Sequence, residues 1–353
     1  MDSWDPDEFR TGIAETLESF VATQAGRLHE LGPDAAVLTN AAAEAVRGGK
    51  RFRAAFCYWG HRAVSAPDSM EPLLRAAASL ELLHASALVH DDLMDASDTR
   101  RGRPSAHRAF EARHRDLGWR GDPGQYGLAS AILLGDLLLS WADELLRTSG
   151  FHQDRVLDAL AYFDTTRGEV IAGQFLDVSV QARGAGDLEQ AMRVVRYKSA
   201  KYSVERPLHI GAALAGASAP VIATLSRYGV PLGEAFQLRD DLLGVFGDPE
   251  VTGKPAGDDL VEGKRTVLVA LALQGAEPAD AELLDQSLGT PMDENRIARL
   301  REVIETSGAA TEVERRIEAL TTEALSALAR ADITDEARTV LVELAHAATQ
   351  RRL

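Results

Sequence analysis

The sequence comprises 353 residues, which is enough to bury a large core and fits either one large domain or two of ordinary size. Its 38 Lys and Arg against 54 Asp and Glu give a formal net charge of −16, which argues against a nucleic-acid partner held by phosphate contacts. The one cysteine, Cys57, excludes a disulfide framework within the chain and a cysteine-based zinc site, and it indicates a reducing cytoplasmic location.

Apolar residues recur at spacings of three and four along almost the whole chain, which predicts an all-α fold without strands. In chain order, the predicted helices span 7–30, 33–47, 51–65, 71–96, 104–115, 127–148, 153–182, 187–215, 219–247, 265–274, 279–287, 292–306, 308–329 and 334–350. The acidic N-terminus lacks the pattern of a signal peptide. The longest apolar stretch, LASAILLGDLLLSWA, is interrupted by Asp136 and is too short for a transmembrane segment.

The predicted helices are arranged without a flexible domain linker, so we expect a single domain over residues 1–353. Several helices are apolar on more than one face, which is typical of the centre of a bundle. The loops richest in Gly, Pro and charge are 47–53, 96–104, 117–127 and 247–264. Two of these loops directly follow a pair of aspartates at the end of a predicted helix.

The first of these aspartate pairs belongs to the string HDDLMDASDTRRG. Asp91 and Asp95 are four residues apart and therefore share one helix face, with Asp92 beside them. Carboxylates at a helix end suit Mg²⁺, which is typically bound by one or two carboxylates and by substrate phosphates. Arg100 and Arg101 are bidentate phosphate donors. A solvated acidic helix end is the alternative, but the complete string favours a metal and phosphate site.

The second aspartate pair belongs to the string FQLRDDLLGVFGDPEVTGKPAGDDLVEGKRT. Asp240 and Asp241 end an apolar run, and a Gly-rich loop with two lysines and two further aspartates follows. Two such segments opposite each other could hold one diphosphate between them, so each motif strengthens the interpretation of the other.

Both strings closely resemble the aspartate-rich regions of the trans-isoprenyl diphosphate synthases, the polyprenyl synthetase family, and the chain looks like bacterial geranylgeranyl diphosphate synthases. The similarity continues in GGKRFR, ELLHASALVHDD, GDLLLSWA, GQFLD and YKSAKYS, and it covers about residues 45–270. Residues 1–40 are interpreted as an N-terminal helical extension and 271–353 as C-terminal helices. The resemblance implies an isoprenoid-synthase-type bundle of long antiparallel helices around a central cavity, and a homodimer.

The resemblance also implies roles for individual residues and three bound Mg²⁺ ions, with Mn²⁺ as a substitute. The implied isopentenyl diphosphate site consists of Gly49, Lys50, Arg53, His84 and Arg101. The implied metal ligands are Asp91, Asp95 and Asp240, with Asp92 and Asp241 as further candidates. The implied allylic diphosphate site consists of Arg100, Lys198, Ser199, Gln237, Lys254 and Lys264, with Asp177 positioning either Lys198 or the metal cluster. The residues expected to carry catalysis are Asp91, Asp95, Arg100, Lys198, Asp240 and Lys254.

Taken singly, several of these residues have simpler interpretations. His84 would be a core histidine, Lys50 and Arg53 surface charges, and Lys198 a side chain whose stem lies along apolar surface. The second motif also departs from the pattern of many relatives, which have a third aspartate at the position of Gly244. That departure leaves the geometry of a third metal open.

The implied reaction joins isopentenyl diphosphate to an allylic diphosphate and releases pyrophosphate. Ser86 and Ala87, one turn before Asp91, are small. Leu83 lies about one turn further from Asp91 and is a candidate residue for limiting the length of the product chain. A product of about twenty carbons, geranylgeranyl diphosphate, is therefore expected, with farnesyl or longer polyprenyl diphosphates as alternatives. The rival functions are a terpene cyclase and a non-catalytic partner subunit.

Overall fold

The structure is a computed structural model that describes residues 4–184, 187–247 and 257–350. It confirms the all-α prediction, since 80% of the chain is helical and strands are almost absent. Lys254, which was predicted to contact the allylic diphosphate, lies outside the described residues.

The helices follow the apolar periodicity of the sequence closely. They are α1 (Pro6–Leu28), α2 (Pro33–Ala45), α3 (Phe52–Arg62), α4 (Met70–Met94), α5 (Ala106–Asp116), α6 (Pro123–Arg147), α7 (Gln153–Arg183), α8 (Leu188–Val194), a π-helical segment (Val195–Glu205), α9 (Arg206–Leu214), α10 (Ala219–Phe246), α11 (Asp258–Val261), α12 (Val267–Gly275), α13 (Pro278–Ser287), α14 (Glu294–Thr306), α15 (Ala309–Ala329) and α16 (Asp335–Thr349). A short 3₁₀ turn, His29–Leu31, follows α1.

Three local predictions were wrong. The helix predicted at 187–215 is divided into α8, the π-helical segment and α9. Helix α6 begins four residues early, because the Asp122 side chain accepts a hydrogen bond from the Gly124 backbone nitrogen (2.9 Å) and Pro123 suits the first turn. The predicted loop 247–264 contains the short helix α11.

The expected absence of strands was also wrong at one place. β1 (Thr99–Arg100) and β2 (Arg103–Pro104) form a small antiparallel hairpin. Its two loop residues, Arg101 and Gly102, have φ values of 52° and 71°. Two consecutive left-handed residues are what a two-residue turn of type I′ requires, and Gly102 meets that requirement without a side-chain clash.

The chain divides into two compact units. The first comprises Met1–Leu160 and Ile210–Gly216, and the second comprises Ala161–His209 and Ala217–Leu353. In the first unit, α4 packs against α1, α3 and α6, and α5 packs against α6.

The N-terminal helix is part of the core of the first unit and not a separate extension. Phe9, Ile13, Leu17 and Phe20 of α1 are all buried. The Phe20 ring also packs edge-on against Trp141 of α6, with ring centroids 6.2 Å apart. These contacts make α1 a structural component of the unit that carries the first aspartate motif.

Helix α4 is the one helix in the described ranges that is long and apolar enough to cross a membrane. However, 67% of its most apolar window is buried inside the protein. Burial of this extent is what the central helix of a packed unit shows, and α4 lies among α1, α3 and α6.

In the second unit, α10 is the central helix, with the π-helical segment, α11, α12, α15 and α16 packed around it. Its residues Leu238, Leu242 and Val245 are at most 1% exposed. The apolar run before and after Asp240 and Asp241 therefore builds the core and fixes the helix end that carries the second aspartate pair.

Candidate active site

The first aspartate motif occupies the C-terminal end of α4. Asp91 and Asp92 lie in its last turn, and Asp95 caps it with a hydrogen bond from its backbone nitrogen to the Asp91 carbonyl (2.8 Å). The Asp92 side chain is 4% exposed and accepts a hydrogen bond from Arg100 Nε (2.8 Å). The Asp91 side chain is 22% exposed, with Oδ2 4.0 Å from Arg100 Nη2. Asp91 is therefore the more accessible carboxylate, whereas Asp92 holds Arg100.

The hairpin after α4 explains how the two arginines of the motif are placed. Arg100 reaches back to Asp92, while the Nη1 of Arg101 donates to the Arg47 carbonyl (2.8 Å). A Cβ built on Gly49 would lie 3.2 Å from Arg101 Nη2. The missing side chain at Gly49, together with its φ of 95°, gives the Arg101 guanidinium room beside the GGKRFR loop.

His84 lies within a group of positive charges. Burial, followed by the charges of Arg53, Arg101 and Arg100, lowers the pKa of His84 well below its usual range. The ring is therefore neutral at physiological pH, and the excess positive charge around it comes from the arginines. Convergent arginines beside a neutral hydrogen-bonding ring form an arrangement suited to a diphosphate.

A buried ion pair beneath this group was missed by the sequence analysis. Arg51 Nη1 lies 3.1 Å from Glu81 Oε2, and Arg51 Nη2 donates to the Val46 carbonyl (2.7 Å). Glu81 also accepts from the Ala54 backbone nitrogen (3.3 Å), at the start of α3. Arg51 itself has a left-handed φ of 56°. Glu81, a charged residue three positions before His84 in an otherwise apolar run, could have indicated a buried ion pair in the sequence.

Lys198 in the second unit lies in the π-helical segment and pairs with α7. Its Nζ is 2.6 Å from Asp177 Oδ2. A Cβ built on Gly173 would lie 2.5 Å from the Lys198 backbone nitrogen, so only glycine allows this approach of the two backbones. The GQFLD motif therefore supplies both a glycine contact and a carboxylate to the YKSAKYS motif.

The opposite side of the π-helical segment packs against two glycines of α10. A Cβ on Gly233 would lie 2.5 Å from the Ala200 carbonyl oxygen, and one on Gly229 would lie 2.8 Å from the Glu205 Cα. The two glycines are four residues apart and thus share one face of α10. Glycines on α7 and α10 therefore fix where Lys198 and Ser199 lie.

Ser199 connects the π-helical segment to the second aspartate pair. Its hydroxyl donates to Gln237 Oε1, and Gln237 Nε2 donates to Asp241 Oδ1 (2.8 Å). Burial, opposed by the Gln237 hydrogen bond and reinforced by the charges of Asp259 and Asp240, raises the pKa of Asp241 to about 8. Asp241 Oδ2 has no hydrogen-bond partner within the described ranges. A buried carboxylate oxygen of this kind suits a divalent cation.

Gly244, where many relatives have a third aspartate, lies against another carboxylate. A Cβ built on Gly244 would lie 1.9 Å from Asp259 Oδ2. Asp259 is held by Lys264, whose Nζ lies 3.3 Å from Asp259 Oδ1. Lys264 also pairs with Glu262. The glycine therefore makes room for the Asp259 carboxylate, which comes from the short helix α11 and not from α10.

We expect that restoring the missing aspartate with Gly244→Asp lowers kcat/KM about tenfold, because the added side chain would displace Asp259 and Lys264. The measurement is steady-state turnover of the two diphosphate substrates that the resemblance implies. The double variant Gly244→Asp with Asp259→Gly removes the clash and should recover most of the loss. A single variant at least as active as the parent would contradict this explanation.

The predicted residues fall into two sets, one in each unit. The first set comprises Gly49, Lys50, Arg53, His84, Asp91, Asp92, Asp95, Arg100 and Arg101. The second comprises Asp177, Lys198, Ser199, Gln237, Asp240, Asp241 and Lys264. On α4, Leu83 and Ser86 are 2% and 3% exposed, and Ala87 is half-buried.

Comparison with known proteins identifies the class to which this fold and these residues belong. The polyprenyl synthetase family profile matches residues 35–306, which extends the similarity beyond both ends of 45–270. The chain belongs to the polyprenyl synthetase family. It is therefore a prenyltransferase.

Individual relatives agree with this assignment. A short chain isoprenyl diphosphate synthase of Methanothermobacter thermautotrophicus is 35% identical over 262 residues, 74% of each chain. A (2E,6E)-farnesyl diphosphate synthase of Mycobacterium tuberculosis is 34% identical over 314 residues, 86% of this chain and 80% of the relative. A crystal structure of geranylgeranyl pyrophosphate synthase from Corynebacterium glutamicum, complexed with isoprenyl diphosphate and magnesium, is 42% identical. Its TM-score is 0.96, covering 99% of this chain and 100% of the other.

Proposed function

We propose that the protein condenses isopentenyl diphosphate with a dimethylallyl, geranyl or farnesyl diphosphate to give geranylgeranyl diphosphate and pyrophosphate. The observation that carries the proposal is the group of arginines around the neutral His84, about three helical turns before Asp95 on α4. A diphosphate site and a carboxylate site on one helix are what the reaction needs. The similarity to the Corynebacterium glutamicum synthase supports the same product.

The roles are divided between the two sets of residues, which we propose act as one catalytic domain. Gly49, Lys50, Arg53, His84 and Arg101 bind isopentenyl diphosphate. Arg100, Lys198, Ser199, Gln237, Lys254 and Lys264 bind the allylic diphosphate. Positioning and fixed positive charge are the main contributions of these side chains, because the leaving diphosphate gains negative charge as the allylic bond breaks. The released pyrophosphate takes the proton, so no side-chain base is needed.

Magnesium is the proposed cofactor, with three ions per site and Mn²⁺ as a substitute. Asp91, Asp95 and Asp240 are the proposed ligands, with Asp92 and Asp241 as further candidates. The accessible Asp91 carboxylate and the buried Asp241 oxygen fit a hard cation that is partly bound by substrate phosphates. When bound, the ions neutralise charge on the leaving diphosphate.

The defining experiment is to incubate the purified protein with Mg²⁺, isopentenyl diphosphate and farnesyl diphosphate, and to size the product by chromatography. A twenty-carbon diphosphate with released pyrophosphate supports the proposal. A shorter or longer linear product would assign a farnesyl or polyprenyl synthase, and a cyclic hydrocarbon a terpene cyclase. Absence of turnover would indicate a non-catalytic partner subunit.

We propose a cytoplasmic location.

Product length is proposed to depend on Ser86, Ala87 and Leu83. We expect Ser86→Phe to shift the main product from twenty to fifteen carbons, because an aromatic ring would fill space at this buried position of α4. Radiolabelled products separated by chain length provide the measurement. Ala85→Phe adds the same bulk at another buried position. Equal shortening by both variants, or none by Ser86→Phe, would contradict this role for Ser86.

A homodimer is proposed, and exposed apolar side chains on α6 and α7 support it. On α6, Ile132 and Leu133 are 46% and 61% exposed; on α7, Ile171 and Phe175 are 59% and 74% exposed. Exposed apolar side chains on a helix surface are typical of an interface. We expect Phe175→Asp to halve the mass measured by sedimentation. The control Leu31→Asp alters a residue that is 73% exposed on the short 3₁₀ turn and should leave the mass unchanged. Equal masses for all three proteins would exclude this surface.

A further inference from the structure

Four charged side chains form a buried cluster at the C-terminal end of the π-helical segment. Glu169 of α7 makes two contacts with Arg206, at 2.8 Å to Nε and 2.9 Å to Nη2. Its Oε1 also lies 2.9 Å from Lys201 Nζ. Glu205 completes the cluster, with Oε2 3.6 Å from Lys201 Nζ and 3.8 Å from Arg206 Nε. Glu169 is therefore the one carboxylate that binds both cations closely.

The cluster is balanced in charge and largely removed from water. Its side chains are 6–20% exposed, with two anions facing two cations. Burial opposes ionisation of Glu169, but the hydrogen bonds from Arg206 and Lys201 lower its pKa below the usual value. Glu169 is therefore ionised at neutral pH. Removing its charge leaves two buried cations with Glu205 alone.

The cluster lies in line with the residues that hold Lys198. Glu169, Gly173 and Asp177 follow one another at intervals of four along one face of α7. Asp177 contacts the Lys198 side chain, Gly173 approaches its backbone, and Glu169 binds Lys201, three residues further along the π-helical segment. Residues at three successive turns of α7 therefore contact this segment.

A π-helix of this length requires such support from its surroundings. Its i→i+5 hydrogen bonds are less favourable than those of an α-helix, and the segments that adopt it are frequently at functional sites. The glycine contacts of α7 and α10 permit the close approach, but they provide little attraction. The Glu169 contacts are directional and charged, so they oppose a return of the segment to α-helical geometry.

We propose that Glu169 is a positioning residue, which through Lys201 and Arg206 holds the π-helical segment in the geometry that presents Lys198 and Ser199 to the allylic diphosphate. This inference rests on the proposed function, because it assigns the affected substrate. Since Glu169 and its partners lie in the second unit, whereas the proposed isopentenyl diphosphate residues lie in the first, the isopentenyl diphosphate site should be unaffected.

The test compares Glu169→Gln with the full-length parent in steady-state kinetics, varying each substrate separately. We expect KM for the allylic diphosphate to rise about tenfold, with KM for isopentenyl diphosphate unchanged. Lys201→Gln, added to Glu169→Gln, restores charge balance and should return the allylic KM towards the parent value. Glu189→Gln is the matched control, since its side chain is 80% exposed and pairs only locally with Arg193.

Thermal unfolding of each variant separates positioning from folding. A selective rise in the allylic KM, measured at a temperature at which every variant is fully folded and relieved in the double variant, supports the inference. Equal changes in both KM values, or no change in either, would overturn it. An inactive parent protein would instead refute the proposed function, so the two failures are distinguishable.

Discussion

Replacing Asp91 with asparagine is expected to lower kcat about a thousandfold, the largest effect predicted for any single side chain. Asp91 is the more accessible carboxylate of the first aspartate pair, and Arg100 already holds its neighbour Asp92. An amide keeps the size of the side chain but removes the charge that a divalent cation requires. The measurement is single-turnover formation of pyrophosphate at saturating Mg²⁺ and substrates.

Two further variants serve as comparisons for the Asp91 substitution. Asp241→Asn should cost less, because burial already favours the uncharged form of Asp241 and an amide resembles that form. Asp116→Asn, at an exposed position near the end of α5, should have no effect. Equal loss from Asp91→Asn and Asp241→Asn would mean that both aspartate pairs contribute equally, and the first motif would lose its special role.

Substituting alanine for Gly173 is expected to lower the free energy of unfolding by about 3 kcal/mol and to abolish most activity. A Cβ there would lie 2.5 Å from the Lys198 nitrogen and 2.9 Å from its Cα, and backbone atoms cannot move aside as a flexible side chain can. The displaced segment carries Lys198 and Ser199, so stability and turnover should fall together. Urea unfolding and steady-state kinetics provide the two measurements.

The same helix offers a matched control for this substitution. Gly168 of α7 has no atom within 4 Å of the position that a Cβ would occupy. Gly168→Ala should therefore raise stability by about 0.5–1 kcal/mol, because alanine favours the helix more than glycine does. If both variants had similar stability and activity, close packing at Gly173 would not be what fixes Lys198.

Most of the helical architecture could be predicted from the sequence, because it depends on local periodicity. Helix α4 was expected at 71–96 and spans Met70–Met94, and α10 was expected at 219–247 and spans Ala219–Phe246. Both carry apolar residues at helical spacing, and this repeat is fixed by neighbouring residues alone. The aspartate pairs at their ends could be placed for the same reason.

The remaining features depend on partners that are distant in sequence. Glu169 pairs with Arg206, which lies 37 residues further along the chain, and Arg51 pairs with Glu81 across 30 residues. Periodicity carries no information about such pairs. Gly244 was recognised as a departure from the pattern, but its reason, the nearby Asp259 carboxylate, is fifteen positions further along the chain and could not be inferred.

The packing of α1 has a consequence for how this protein is compared with its relatives. The family profile begins at residue 35, whereas Ile13, Leu17 and Phe20 are buried in the unit that carries Asp91. The stretch that defines kinship is thus shorter than the stretch that must fold. A fragment that begins at residue 35 and keeps the rest of the chain would expose the apolar surface that α1 covers, and its insolubility would result from the missing helix, with every catalytic motif still present.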